Sequence, residues 1–257
     1  MKISDIHTLY INLDKDVERL KTIEADLKKH NIKFDKVKAV YGKRLKEEEY
    51  CLKTAKYFNV KKEKMNIDYW LNRRNFKTMC KYENSVLAKV GCYLSHLKAL
   101  KIALDMGLDK VLILEDDALI THDYEFEIPD NTDIFYLGGY WFKQKGYIPT
   151  CDNPCLINTK NLKVCGTYGY ILPTRQKIKD AYNLYKSVFL DGKGKDKDVN
   201  WREGEIRIRA ETSDFHLINF FQKLGKCYIA NPPAIYLRPY ESNINDNRSR
   251  YVLNTQQ

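Results

Sequence analysis

The feature that most constrains this chain is a run of four aliphatic residues, Val111 to Leu114, that passes straight into Glu115, Asp116 and Asp117. A continuous apolar run of this kind suits a strand buried on both faces of a parallel sheet. Ligands bind outside the carboxyl ends of such strands, so the three acids stand where a site belongs. Three adjacent carboxylates repel one another and call for a compensating charge. A hard divalent cation, magnesium or manganese, fits oxygen ligands and is usually shared with substrate phosphates. In an extended chain Glu115 and Asp117 lie ~6.6 Å apart on one face with Asp116 opposite. Asp117 is then the expected direct metal ligand, with Glu115 or Asp116 holding a ribose hydroxyl or a metal-bound water. The plain alternative is that these acids only cap the following turn.

The surroundings read as alternating strands and helices. Ile6 to Leu13 suits a buried strand, and Val17, Leu20, Ile23 and Leu27 recur at helical spacing behind a cap at Asp14 or Asp16. A second strand is expected across Lys33 to Val40, which completes a right-handed βαβ unit. The clearest helix spans about Asn84 to Met106, with Val86, Val90, Leu94, Leu97 and Leu104 on one stripe and Gly107 at its end. Ile134 to Leu137 reads as a strand, and Val164 to Leu172 as a strand interrupted by Gly166 and Gly169 near a site. A helix is expected after Pro173, a short one from Ser213 or Asp214, and a last strand at Cys227 to Ala230. No repeat period appears, and the fold class is α/β with a mostly parallel central sheet flanked by helices.

Composition bounds the function. At 257 residues, 44% hydrophobic and 30% charged, the chain can bury a core of its own, and it is read as one domain over 1–257. No apolar run approaches the roughly 20 residues that cross a bilayer, and no signal peptide is recognised, so a mature chain beginning at Met1 in the cytoplasm is expected. Seven scattered cysteines fit a reducing compartment better than a disulfide framework. The close pair Cys151 and Cys155 has no second Cys or His pair nearby, and structural zinc is not expected there. A sequon at Asn247 does not outweigh the missing signal peptide.

Net charge is +10, and the segment from Lys43 to Lys89 holds 13 basic residues against 6 acidic ones. Aromatic residues, among them Tyr50, Tyr57, Phe58 and Trp70, are interleaved with them. This basic insertion, placed at 43–83, could grip phosphates, an anionic membrane surface or nucleic acid, or be a solvated helical insertion with aromatic anchors. Asp191 to Asp198 has three Lys and three Asp, so 190–200 is read as a neutral flexible loop.

The chemistry that calls for the acid cluster is one in which a diphosphate leaves with negative charge, as in sugar transfer from a nucleotide sugar or in nucleotidyl transfer. The acids alone do not separate the two. No G-x-x-x-x-G-K phosphate loop is present to support a nucleotidyl or phosphoryl transferase.

Six blocks follow in order: Tyr10 to Asp14 with Arg19, Ala39 to Gly42, Gly91 to His96, Val111 to Asp117, Gly166 to Tyr170, and Ser213 with Asp214. Together they resemble glycosyltransferase family 25, which includes bacterial lipooligosaccharide galactosyltransferases and procollagen hydroxylysine galactosyltransferases. The resemblance implies a GT-A-type, Rossmann-like fold, a UDP-sugar donor, manganese (or magnesium) dependence and inversion at the anomeric carbon. It places Asn12, Leu13 and Arg19 in the nucleotide pocket and Ser95 with His96 facing the donor. Glu115 to Asp117 become the acidic metal motif, Gly166 and Tyr168 lie beside the donor, and Asp214 is general base or last metal ligand. His216, outside that pattern, is an alternative ligand completing the metal shell. Tyr41 stands where the family usually has Asp. The implied activity moves galactose or glucose to a glycan, a lipid-linked saccharide or a collagen-like hydroxylysine. The basic segment is then an acceptor platform or a peripheral membrane contact, and no nucleic acid is expected as partner. A non-catalytic nucleic-acid-binding module is the rival reading.

Overall fold

The structure, a computed structural model, describes residues 1–65, 83–121, 125–141, 155–157, 164–189, 222 and 226–240. The expectations on Cys151, the 190–200 segment, Ser213, Asp214, His216 and Asn247 fall outside the described residues.

Strand β1 (Thr8–Asn12) is buried at every position, and it leads through helix α1 (Val17–Lys29) to strand β2 (Phe34–Lys38), which pairs with it in parallel from Thr8↔Phe34 to Asn12↔Lys38. Helix α1 buries Ile23 and Leu27, and Asn31 turns the chain out of it at φ 53°. Val17, expected on the buried stripe, is 47% exposed at the first residue of the helix. Strand β3 (Val111–Glu115) adds to the other edge of β1 in parallel, from Thr8↔Leu112 to Ile11↔Glu115.

The remaining strands are β4 (Ala118–Ile120), β5 (Thr132–Tyr136), β6 (Tyr140–Trp141), β7 (Cys155–Leu156), β8 (Val164–Cys165), β9 (Gly169–Leu172), β10 (Lys226–Ile229) and β11 (Ile235–Leu237). The main sheet has seven strands in the order β2-β1-β3-β9-β5-β10-β7. Five of them run the same way; β9 and β7 run against their neighbours, so the sheet is mostly parallel, as expected. The stretch 164–172 divides into β8 and β9 because Gly166, at φ 104°, cannot continue an extended strand.

Alternate side chains of the central strands feed two cores, which is why the β3 run is apolar throughout. Leu9, Ile11, Val111 and Ile113 point to one layer, where they meet Val90, Leu94 and Leu97 of helix α3 (Glu83–Asp105) and Ile178 and Leu184 of helix α4 (Arg175–Phe189). Tyr10, Leu112 and Leu114 point to the other, against Ile23 and Leu27 of α1 and Ile235 of β11. Helix α3 is buried well beyond the expected stripe, with Leu87, Tyr93, Ala99 and Leu100 fully enclosed as well. Gly107 ends it at φ 71°.

Part of the basic insertion is helical. Helix α2 (Glu48–Phe58) docks Cys51, Ala55 and Phe58 into the α3 core. Its aromatics are occupied by the chain's own cations: Arg44 lies 4.6 Å from the Tyr50 ring centre, and Lys98 5.2 Å from that of Tyr57. No helix among the described residues is long and apolar enough to cross a membrane.

Candidate active site

The three acids divide between two sets of partners. The strand ends at Glu115, so the alternation expected to carry through Asp117 gives way to a turn, and Asp116 and Asp117 both approach Arg19. Asp116 accepts from Asn12 Nδ2 at 2.8 Å and from Arg19 Nη1 at 3.0 Å. Glu115 Oε1 accepts from Thr167 Oγ1 at 2.5 Å and lies 3.2 Å from His96 Nε2. Asp117 is 3.8 Å from Arg19 Nη1, and its Oδ1, buried, has no hydrogen-bond partner among the described residues; Asn12 Oδ1 is in the same state.

Electrostatics separate the three. Burial, followed by the charges of Glu115 and Asp116, pushes Asp117 up to about 7. Burial also raises Asp116, against the pull of Arg19 and the Asn12 hydrogen bond. Burial would raise Glu115 too, but the His96 and Thr167 hydrogen bonds and the Arg19 charge together hold it below its ordinary value. Among the described residues Arg19 is the cation in ion-pair reach of Asp116 and Asp117. One guanidinium neutralises one of the three charges, which leaves Asp117 short of a partner.

Two glycines bring the wall of the cleft into place. A Cβ on Gly42 would lie 1.7 Å from the Leu87 carbonyl oxygen, and one on Gly91 would lie 2.6 Å from Gly42 N and from Val40 O. The 39–42 loop therefore crosses α3 at backbone contact. Ser95 pins the crossing: its Oγ accepts from Val40 N–H at 2.8 Å and donates to Gly91 O at 2.6 Å. The resulting cleft has an apolar wall of Ile11, Ala39, Val40 and Ala88 and a polar floor of Arg19, His96 and the three acids. Leu13, Asp16, Tyr41, Gly42, Lys43, Cys92 and Ser95 complete it.

A family model, glycosyltransferase family 25 (LPS biosynthesis protein), matches residues 5–191. The chain belongs to glycosyltransferase family 25. No curated protein matches it. Among solved structures, a nucleoside-diphosphate-sugar pyrophosphorylase from Vibrio cholerae RC9 aligns with 91% of this chain and 77% of its own, at 12% identity and a TM-score of 0.34.

The structure of this family 25 chain brings together Asn12, Leu13, Arg19, Ser95, His96 and Glu115 to Asp117 around one cleft. Gly166 and Tyr168 are not among the residues that line it: Tyr168 is buried in the core, its ring 2.7 Å from where a Cβ on Gly138 would stand, and its carbonyl accepts from Glu115 N–H at 3.2 Å. Tyr168 thus supports the acid-bearing strand end. Sequence reasoning gave no role to Thr167 or Tyr170, although both lie in the Gly166 to Tyr170 block. Tyr170 OH is 3.0 Å from His96 Nδ1. It also passed over the segment beyond β11: Arg238 N–H donates to the Asp117 carbonyl at 2.7 Å, and the Arg19 guanidinium lies 5.0 Å from the Tyr240 ring centre. No local pattern marks those two residues. Among the described residues, Cys92, His96 and Glu115 bring three potential ligand atoms within 4.8 Å of one another.

Proposed function

We propose that this family 25 chain is a metal-assisted, inverting hexosyltransferase that moves galactose or glucose from a UDP-sugar to a hydroxyl of a glycan, lipid-linked saccharide or hydroxylysine-type acceptor. Family membership supports sugar transfer; the donor, the ion and the stereochemistry are our reading. The single observation that carries it is the buried, unpartnered Oδ1 of Asp117, in an acid cluster that one arginine leaves under-compensated. Carboxylate oxygens at a strand terminus suit manganese or magnesium, so the residues present fit such an ion. Bound there, the ion would supply neutralisation of the charge that develops on a departing diphosphate.

The chain's own residues do the rest. Asn12 and Arg19 hold Asp116, which keeps Arg19 directed at the cleft. Ser95, with its hydroxyl already donating and accepting, positions the 39–42 wall beside the donor. His96 and Thr167 keep Glu115 ionised. Asp214, on the resemblance, takes the proton of the acceptor hydroxyl that attacks the anomeric carbon from the side opposite the diphosphate. We place the reaction in the cytoplasm, with the basic insertion as acceptor platform.

The test is a donor screen with UDP-galactose and UDP-glucose, manganese present or chelated, reading released UDP. Metal-dependent release from one donor is expected, and Asp117→Asn should lower it ~100-fold or more, as loss of a preorganised charge stabiliser does. Near wild-type turnover in that variant overturns the metal assignment. Pyrophosphate release from nucleoside triphosphates, with no UDP release from sugars, would instead identify a nucleotidyltransferase.

A further inference from the structure

We propose that Cys92, His96 and Glu115 form a second cation site in the same cleft, built for a borderline-soft divalent ion such as zinc and separate from the hard-ion position at Asp117.

Cys92 and His96 are four residues apart on α3 and so share one helix face, a spacing that lets two side chains converge on one ion. Glu115 reaches the same point from the end of β3. Each offers one ligand atom, and the three lie within 4.8 Å of one another. In a tetrahedral zinc site with bonds of ~2.0–2.1 Å to nitrogen and oxygen, those two atoms stand ~3.3 Å apart. His96 Nε2 and Glu115 Oε1 are already 3.2 Å apart. A thiolate at ~2.3 Å from the ion would sit ~3.6 Å from either, so Cys92 has only about an ångström to close. All three residues line the cleft, which leaves a fourth position facing its interior.

The outer partners of such a site are also in place. A ligating histidine uses its other ring nitrogen to hold a fixed partner, and a ligating carboxylate is itself hydrogen-bonded. His96 Nδ1 lies 3.0 Å from Tyr170 OH, with the two rings stacked at 5.8 Å and 27°. Thr167 Oγ1 donates to Glu115. His96 is fully buried, so its ring has no freedom to leave. Proton accounting is simple. Ion binding displaces the Cys92 thiol proton to solvent, and the neutral imidazole carries its single proton on Nδ1, donated to Tyr170 OH, with Nε2 on the ion. A thiolate and an imidazole select zinc over manganese or magnesium.

This site does not depend on the sugar-transfer reading, because Asp117 is not one of its ligands and its test involves no turnover. The full-length chain, reduced and metal-free, is titrated with cobalt(II) and then zinc(II). We expect one thiolate-bound cobalt per chain, read from thiolate-to-cobalt charge-transfer absorption and displaced from that site by zinc. Cys92→Ser and Cys92→Ala should both abolish that band, and Asp117→Asn should retain it. Tyr170→Phe keeps the ring and removes the hydroxyl; zinc affinity should fall about 10- to 100-fold. For unmutated protein, zinc should shield Cys92 from maleimide, read by mass spectrometry of the Cys92 peptide against those of Cys51 and Cys227. A wild-type chain with no thiolate–cobalt band, a band that survives in both folded Cys92 variants, or a Cys92 labelled equally fast with and without zinc would each overturn the site. If both Cys92 variants fail to fold, the labelling experiment decides.

Discussion

Asp117 holds a proton that an unfolded aspartate would already have lost. Its native carboxyl titrates up to about 7, against an ordinary value of 3.8. Between those two pH values the native state binds more protons than the unfolded one, so this group's contribution to stability falls as pH rises through that window, and above it the full penalty of the buried charge is present. Asp117→Asn removes the penalty. In metal-free protein the variant is expected to be more stable than wild type by ~2 kcal/mol above pH 8, a figure set below the full shift because the three acids titrate together. The gap should close as pH falls toward 5. Urea denaturation of both proteins at the two pH values measures it, and equal stabilities at pH 8 would mean that Asp117 is compensated in some other way. At this scale the sequence was informative about the acids and silent about their partners. Asn12 and Arg19 precede Asp116 by 104 and 97 residues, and Tyr170 follows His96 by 74. No local periodicity reports contacts over such separations.

Elements meet most closely where the 39–42 loop crosses α3. Gly91→Ala would push a methyl against Gly42 N and Val40 O, both backbone atoms with nowhere to move. We expect a loss of ~3 kcal/mol or more in urea melts, with weaker UDP binding in the fraction that folds, since the same crossing forms the cleft wall. A native-like melt would show that the loop can lift off the helix without cost. This crossing explains two of the six blocks in physical terms: Ala39 to Gly42 and Gly91 to His96 are the two sides of one contact. Strands β1, β2 and β3 and helices α1 and α3 were legible because apolar runs and helical spacing mark them. The direction of β9 was not, since an apolar run is the same read either way. The paired β4 and β11 escaped notice because three residues are too few to show alternation.

Over the whole molecule the +10 charge looks like an invitation to polyanions, yet much of the described part of the basic segment is locally balanced. Arg44 pairs with Glu47, Lys53 with Glu49, and Lys62 with Glu48. In the cleft, Arg19 is paired with Asp116, and Arg19 and Lys43 face four acids, Asp16 and Glu115 to Asp117. Charge in a cleft acts on a diphosphate at short range and is screened by salt. In metal-free protein UDP affinity is therefore expected to strengthen several-fold between about 50 mM and 500 mM NaCl, as repulsion by the acids is screened, while that of uncharged uridine stays level. Isothermal titration of the two ligands separates the cases, and equal salt responses would refute a cleft of net negative charge. The excess of basic residues was readable from composition, but which of them are cancelled by neighbours is settled only by tertiary placement.

The clasp that Arg238 and Tyr240 place on Asp117 and Arg19 has a consequence for how the protein comes into being. A nascent chain leaving the ribosome displays the whole 5–191 stretch well before the residues that close over its acids have been translated. Strand β10, which lies inside the main sheet, arrives equally late. Gene copies cut short by a stop codon between 191 and 226 would then still be recognisable by their motifs, while encoding polypeptides with an unfinished sheet and an open acid cluster.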